Sequence, residues 1–150
     1  MTAPPSLGLE PDAVLLTDRV AVVTGAAQGF GEAIARGFAG KGARVMVTDV
    51  DGAGARRVAD DLDGALAFEL DVTSEDRHRE LAQVMADEWG GIDIVAANAG
   101  LPHRGGYMVD LTTEQFDFMW TINVRPIFFA AKYFVPHMGP GSAIVSTASI

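Results

Sequence analysis

The sequence predicts an α/β domain built on a doubly wound parallel sheet with helices on both faces. Two observations carry that prediction. Wholly apolar runs such as Val20-Ala21-Val22-Val23 suit strands that are buried on both sides. Helical segments alternate with them through short, glycine-marked links, so that strand, helix and strand recur along the chain. Such repetition implies parallel strands and right-handed crossovers. With 150 residues, 49% of them apolar, the chain is long enough for one core of this kind.

Residues 1–18 contain Pro4, Pro5, Gly8 and Pro11 and hold no sustained period. They read as a flexible N-terminal arm, with Val14-Leu15-Leu16 available to dock on the domain formed by 19–150. After the first strand comes a glycine-rich turn and a helix over 29–39, closed by Gly40 and Gly42. Residues 43–49 read as the second strand. A helix over 53–62 is weakened by Gly52 and Gly54, and 65–70 is the third strand. Thr73 or Ser74 caps the next helix, where Asp76 resembles the partner of a capping box. Leu81, Val84, Met85 and Trp89 form its apolar stripe, and His78, between Arg77 and Arg79, falls on its solvated face. The fourth strand covers 92–97, one long helix covers 113–135, and a fifth strand begins at 143–145. Pro126 lies inside that long helix. It has no N–H and clashes with the carbonyl of Ile122, so a bend beside Asn123 is expected.

The formal net charge of −9, from 20 acidic and 11 basic residues, argues against nucleic-acid binding, which needs clustered Lys and Arg. With no cysteine, disulfides, Cys-ligated zinc and a thiol nucleophile are excluded. His78, His103 and His137 lack ligand-like spacing, and no catalytic metal is expected. No apolar run approaches the ~20 residues that span a bilayer, and the first residues do not resemble a signal peptide. The expectation is a cytoplasmic protein with no membrane partner.

The chemistry starts at Thr24-Gly25-Ala26-Ala27-Gln28-Gly29-Phe30-Gly31, which follows a strand and opens a helix. Gly25 permits the bend. Gly29 lets backbone approach a pyrophosphate, whose charge the helix N-terminal amides meet, and Gly31 allows close helix–strand packing. Asp49 ends the second strand, where a carboxylate can accept hydrogen bonds from a ribose diol. A 2′-phosphate there would be repelled. Asp51 follows, Gln28 is neutral, and no Arg or Lys lies between Arg44 and Arg56. The setting is that of a Rossmann-type dinucleotide site favouring NAD over NADP.

Taken in order, these motifs resemble the short-chain dehydrogenase/reductase family over about 19–150. The Gly-x-x-x-Gly-x-Gly spacing is that family's form. Asp71-Val72-Thr73 resembles its segment after the third strand, where the Asp meets the adenine amino group. Asn98-Ala99-Gly100 resembles its Asn-Ala-Gly motif, with Ala97 where the family usually has a further Asn. Asn123 matches its helix Asn, and Ile144-Val145-Ser146-Thr147-Ala148-Ser149 resembles its fifth strand with the catalytic Ser. The resemblance implies an oxidoreductase acting on a small-molecule alcohol or carbonyl. Ser149 would bind the substrate oxygen and Asn123 would hold a water in the proton relay. Pro126, where the family more often has Gly, either preserves the helix irregularity by another route or is a tolerated kink. Phe116, Phe118, Trp120, Phe128, Phe129, Tyr133 and Phe134 lie on the long helix, and part of them must be core. The family commonly forms a subunit interface on that helix, so an exposed aromatic stripe would imply a homo-oligomer, dimer or tetramer, at full length. His103 and Arg104 could approach a substrate or simply line a loop surface.

The family's Tyr-x-x-x-Lys pair follows its catalytic Ser, and here Ile150 is the last residue. Neither Tyr107 nor Tyr133 has Lys four residues on; Leu111 and His137 stand there, and Tyr133 reads as a packing residue. The expectation is a chain lacking its C-terminal strands, with the fifth strand left as an unpaired edge. The alternative is a non-catalytic NAD(H)-binding module; a methyltransferase fits the Gly25–Gly29 gap, Asn98 and Ser149 less well. A positioned proton donor is worth ~10²–10⁴-fold. Residues 1–150 alone are therefore expected to show negligible NAD-linked alcohol oxidation, and robust turnover in an NADH absorbance assay would overturn that expectation.

Overall fold

Val20–Thr24 (β1) is buried throughout because its alternate side chains enter two different cores. Val20 and Val22 join Met46, Leu70, Ile92 and Val95 on one face of the sheet, while Ala21 and Val23 join Val45, Val47 and Ala96 on the other. This is the period-two pattern of a central strand covered on both sides. The computed structural model describes residues 15–102 and 107–148. Beyond β1 the chain runs α1 (Gly29–Gly40), β2 (Arg44–Asp49), α2 (Gly52–Asp60), β3 (Leu66–Glu69), α3 (Glu75–Trp89) and β4 (Ile92–Ala97). It ends with α4 (Thr113–Asn123), α5 (Arg125–Phe134) and β5 (Met138–Ser146).

The strands pair in parallel in the order β3-β2-β1-β4-β5, the doubly wound sheet that the sequence predicts. The chain builds outward from β1 to β3 and then returns to the other side of β1. That reversal opens a crevice at the carboxyl ends of β1 and β4. The α1/α2 face is lined by Ala35, Ala55, Val58 and Ala59, so these helices approach the sheet closely. Larger side chains, Leu81, Met85 and Phe134, fill the α3/α5 face. Leu16 of the expected arm packs against the α1/α2 side, and its N–H donates to the Lys41 carbonyl at 2.8 Å. Leu15 beside it is exposed, and Val14 with the residues before it lies outside the described residues.

The expected helix over 113–135 is two helices, α4 and α5, broken at Val124 with Pro126 in the first turn of α5. The Ile127 N–H donates to the Val124 carbonyl at 3.1 Å, and Pro126 has no N–H to offer Ile122. The Ile122 and Asn123 carbonyls thereby leave the helical ladder. β5 starts at Met138, earlier than expected, because an irregularity between Ile92 and Ile94 absorbs the Gly139-Pro140-Gly141 stretch. It is an edge strand paired with β4, and Val145 is exposed. Ser74 caps α3, accepting from the Arg77 N–H at 3.3 Å; Asp76 pairs with Arg79 instead of completing a capping box.

His78 departs from the solvated position expected of it. It is 1% exposed, with ring centroids 5.5 Å from Phe129 and 5.8 Å from Phe134. Residues 78, 81, 82 and 85 share the buried face of α3, so the apolar stripe extends one turn further back than Leu81 and α5 covers it. His78 Nδ1 lies 2.9 Å from the Ser74 carbonyl and must carry the proton of the neutral ring. Burial holds the imidazole below its ordinary value of 6.5, against the opposing pull of the Ser74 carbonyl and the Asp71 charge. The unfolded chain therefore takes up this proton first, and stability is lost as pH falls below 6.5 until the folded ring also protonates. Urea denaturation between about pH 7.5 and about pH 5.5 should show this loss in the wild type and a shallower one in His78→Leu; equal slopes would rule it out.

Candidate dinucleotide-binding site

The site grows from Thr24, the last residue of β1. Its hydroxyl accepts the N–H groups of Asn98 and Ala99, each at 3.0 Å. Asn98 Nδ2 donates to the Thr24 carbonyl at 3.0 Å and lies 3.3 Å from that of Gly25. The loop after β4 is thus laced to the turn after β1 across the topological switch point. There is no room for a side chain in between. A Cβ on Gly25 would lie 2.9 Å from Ala99 Cα, and one on Gly31 would lie 2.0 Å from the Gly25 carbonyl oxygen.

Gly29 serves a different purpose. Its φ of 60° is left-handed, and a Cβ there would meet nothing within 4 Å. The turn is open on that side. Gln28, the N-cap of α1, has extended backbone and makes no capping hydrogen bond, whereas Asp51, Ser74 and Thr112 cap α2, α3 and α4. The first-turn amides of α1, from Gly29, Phe30 and Gly31, are left for an anion. The side chains of Gln28 and Phe30 project into solvent.

Asp49 stands at the end of β2, half-buried. Its Oδ2 accepts from the Ala27 N–H and its Oδ1 from the Asp51 N–H, both at 3.0 Å. A carboxylate has about four lone-pair sites, so the group is oriented by backbone and keeps acceptor capacity for a hydroxyl pair. Asp71 Oδ1 accepts from Thr73 N at 2.8 Å and Thr73 Oγ1 at 2.7 Å at the exposed end of β3. Val72 packs partly against the α3/α5 core. Gly100 sits against Asn123, whose Oδ1 would lie 2.9 Å from a Cβ at that position.

Asn123 grips the next residue from both sides. Its Oδ1 accepts from Leu101 N at 2.9 Å and its Nδ2 donates to the Leu101 carbonyl at 3.0 Å. The side chain is committed to holding the loop after β4, and the carbonyl released beside Val124 is the group free to meet a water. Ser149, His103 and Arg104 lie outside the described residues. The end of β5 runs beside the loop, with Thr147 N donating to the Ala97 carbonyl at 3.1 Å and Thr147 Oγ1 lying 3.4 Å from Asn98 Oδ1.

Sequence reasoning missed the part played by Thr24 and by Arg57. The hydroxyl directly before Gly25 was legible as a possible acceptor. Arg57 was not: it belongs to α2, and only the fold brings its Nη2 to 2.8 Å from the Ala27 carbonyl. The residues present fit a dinucleotide. An open glycine position, an uncapped helix and an oriented carboxylate lie along one edge of the crevice.

A family model described as Enoyl-(Acyl carrier protein) reductase matches residues 25–150. Relatives include the 4-formylbenzenesulfonate dehydrogenase of Comamonas testosteroni, 41% identical over 81% of this chain and 50% of that protein. An uncharacterized oxidoreductase of Bacillus subtilis is 34% identical over 90% of this chain and 51% of its own length. The chain thus spans about half the length of these relatives. Among solved structures, a 3-ketoacyl-(acyl-carrier-protein) reductase from Brucella melitensis complexed with NADH superimposes with a TM-score of 0.83 at 35% identity, over 89% of this chain and 58% of that one. A short chain dehydrogenase from Burkholderia cenocepacia in complex with NADP gives 0.80 at 34% identity, over 89% and 56%. With its Rossmann-like sheet and glycine turn, the chain belongs to the short-chain dehydrogenase/reductase family.

Proposed function

We propose that this chain supplies the cofactor-binding half of an NAD(H)-dependent oxidoreductase that interconverts an alcohol and a carbonyl. The observation that carries the reading is the Asp49 carboxylate, oriented at the end of β2 beside the open glycine turn. The solved relatives hold NADH in one case and NADP in another, so the preference for NAD rests on this residue. A ribose diol offers Asp49 two donors, whereas a 2′-phosphate offers it only like charge.

In this reading Gly25, Gln28, Gly29, Phe30 and Gly31 form the diphosphate cradle, with the α1 amides as donors. Asp49 takes the adenosine ribose, and Asp71 and Val72 border the adenine. Asn98, Ala99 and Gly100 form the floor toward the nicotinamide end. The bound cofactor supplies hydride exchange with the substrate carbon. Ser149 hydrogen-bonds the substrate oxygen and steadies the charge that develops there. Asn123 holds a relay water through its backbone carbonyl, since its side chain is engaged by Leu101. The working protein is read as a cytoplasmic homo-oligomer. Support for assembly comes from α4, which buries no residue and exposes Phe116, Phe118 and Trp120. No described helix is long and apolar enough to cross a membrane.

Two substitutions separate recognition from architecture. Asp49→Ala should weaken NAD binding about 10- to 100-fold by calorimetry, the scale of losing charge-assisted hydrogen bonds, and narrow the preference over NADP; unchanged binding would sink the reading. Gly31→Ala should cost about 3 kcal/mol in urea unfolding, because the clash is with backbone that cannot move aside. A near-neutral result would show that the lacing around Gly25 is slack.

A further inference from the structure

Arg57 is more than half exposed, yet it is firmly engaged. Its Nη2 donates to the Ala27 carbonyl at 2.8 Å and lies 3.7 Å from Glu32 Oε2. Ala27 itself is buried and donates its own N–H to Asp49 Oδ2 at 3.0 Å. This one residue of the glycine turn is therefore held from both ends. The peptide before it is fixed by Asp49, and the peptide after it, which enters the Gln28 N-cap of α1, is fixed by Arg57.

The surroundings are arranged for that reach. A Cβ on Gly54 would lie 2.8 Å from Ala27 Cβ, so the start of α2 rests on the turn only because position 54 carries no side chain. Glu32, on α1, also accepts from Arg36 Nε at 2.9 Å, and Arg36 Nη2 reaches Asp61 Oδ2 at 2.9 Å beyond the end of α2. These contacts, one helical turn apart, join Glu32 and Arg36 of α1 to the last turn of α2 and its C-cap Asp61, with Arg57 the nearer of the two to the glycine turn.

We infer that Arg57 is a positioning residue for the adenosine end of the cofactor, keeping Ala27 in the orientation that aims the Asp49 carboxylate. The inference rests on the dinucleotide reading above and adds to it a determinant on a different helix. Arg57 acts through backbone: when it is removed, the peptide entering α1 loosens, the Ala27 N–H no longer fixes Asp49 Oδ2, and part of the orientation that favours a ribose diol is lost.

The test is an NADH fluorescence titration of the chain and of Arg57→Met, Arg57→Lys, Asp49→Ala and the Asp49→Ala/Arg57→Met double variant. Arg57→Met should raise the Kd for NADH about 10-fold, the scale of one charge-assisted hydrogen bond. Arg57→Lys, which keeps a cationic donor, should recover part of that loss. A merely structural arginine would add its loss to that of Asp49→Ala. One that acts through Asp49 should leave the double variant within about twofold of Asp49→Ala alone. Binding by Arg57→Met equal to wild type, no recovery with lysine, or losses that multiply would each overturn the inference while leaving the cofactor site standing. Absence of any binding by the wild type would overturn the dinucleotide reading itself.

Discussion

Everything at the crevice depends on the hydrogen bonds that join Thr24 to Asn98. They bind the turn after β1 to the loop after β4, two segments whose strands lie side by side only because the sheet order reverses there. With the hydroxyl and carbonyl of Thr24 both occupied, the two loops sit close enough that positions 25 and 31 must lack side chains. That closeness fixes where α1 begins. An uncapped helix start is of use to an anion only when its amides have a fixed direction.

The two faces of the sheet are built differently, and the difference serves the site. On the α1/α2 side, alanines let the helices come near the strands, so that Gly54 and Arg57 of α2 meet Ala27 in the glycine turn. On the α3/α5 side the core is bulkier and has room for one polar ring, His78, whose Nδ1 is met by the Ser74 carbonyl. A neutral imidazole between two phenylalanines is tolerated because that single donor is satisfied. Protonation would bury an unpaired charge at the contact between two helices.

The break between α4 and α5 joins covalent chemistry to loop placement. Pro126 removes one helical donor, Ile127 turns to Val124, and the backbone around Asn123 leaves the ladder. Asn123 is thereby free to face the loop after β4, where its amide pairs with both backbone groups of Leu101. A residue that a regular helix would have kept on its own surface instead pins a loop on a neighbouring strand.

The sequence by itself determined the layers, the parallel strands, the glycine turn, the acid at the end of β2 and a bend beside Asn123, because each follows from local chemistry. Period, glycine geometry, strand-end position and a missing N–H are all properties of a few adjacent residues. Tertiary structure alone decided that His78 is covered, that β5 begins at Met138, that Asn123 clasps Leu101 and that Arg57 reaches Ala27. Those outcomes turn on which helix lies over which face and how strands register. Such contacts join residues 22 to 56 positions apart, a distance over which no local pattern carries information.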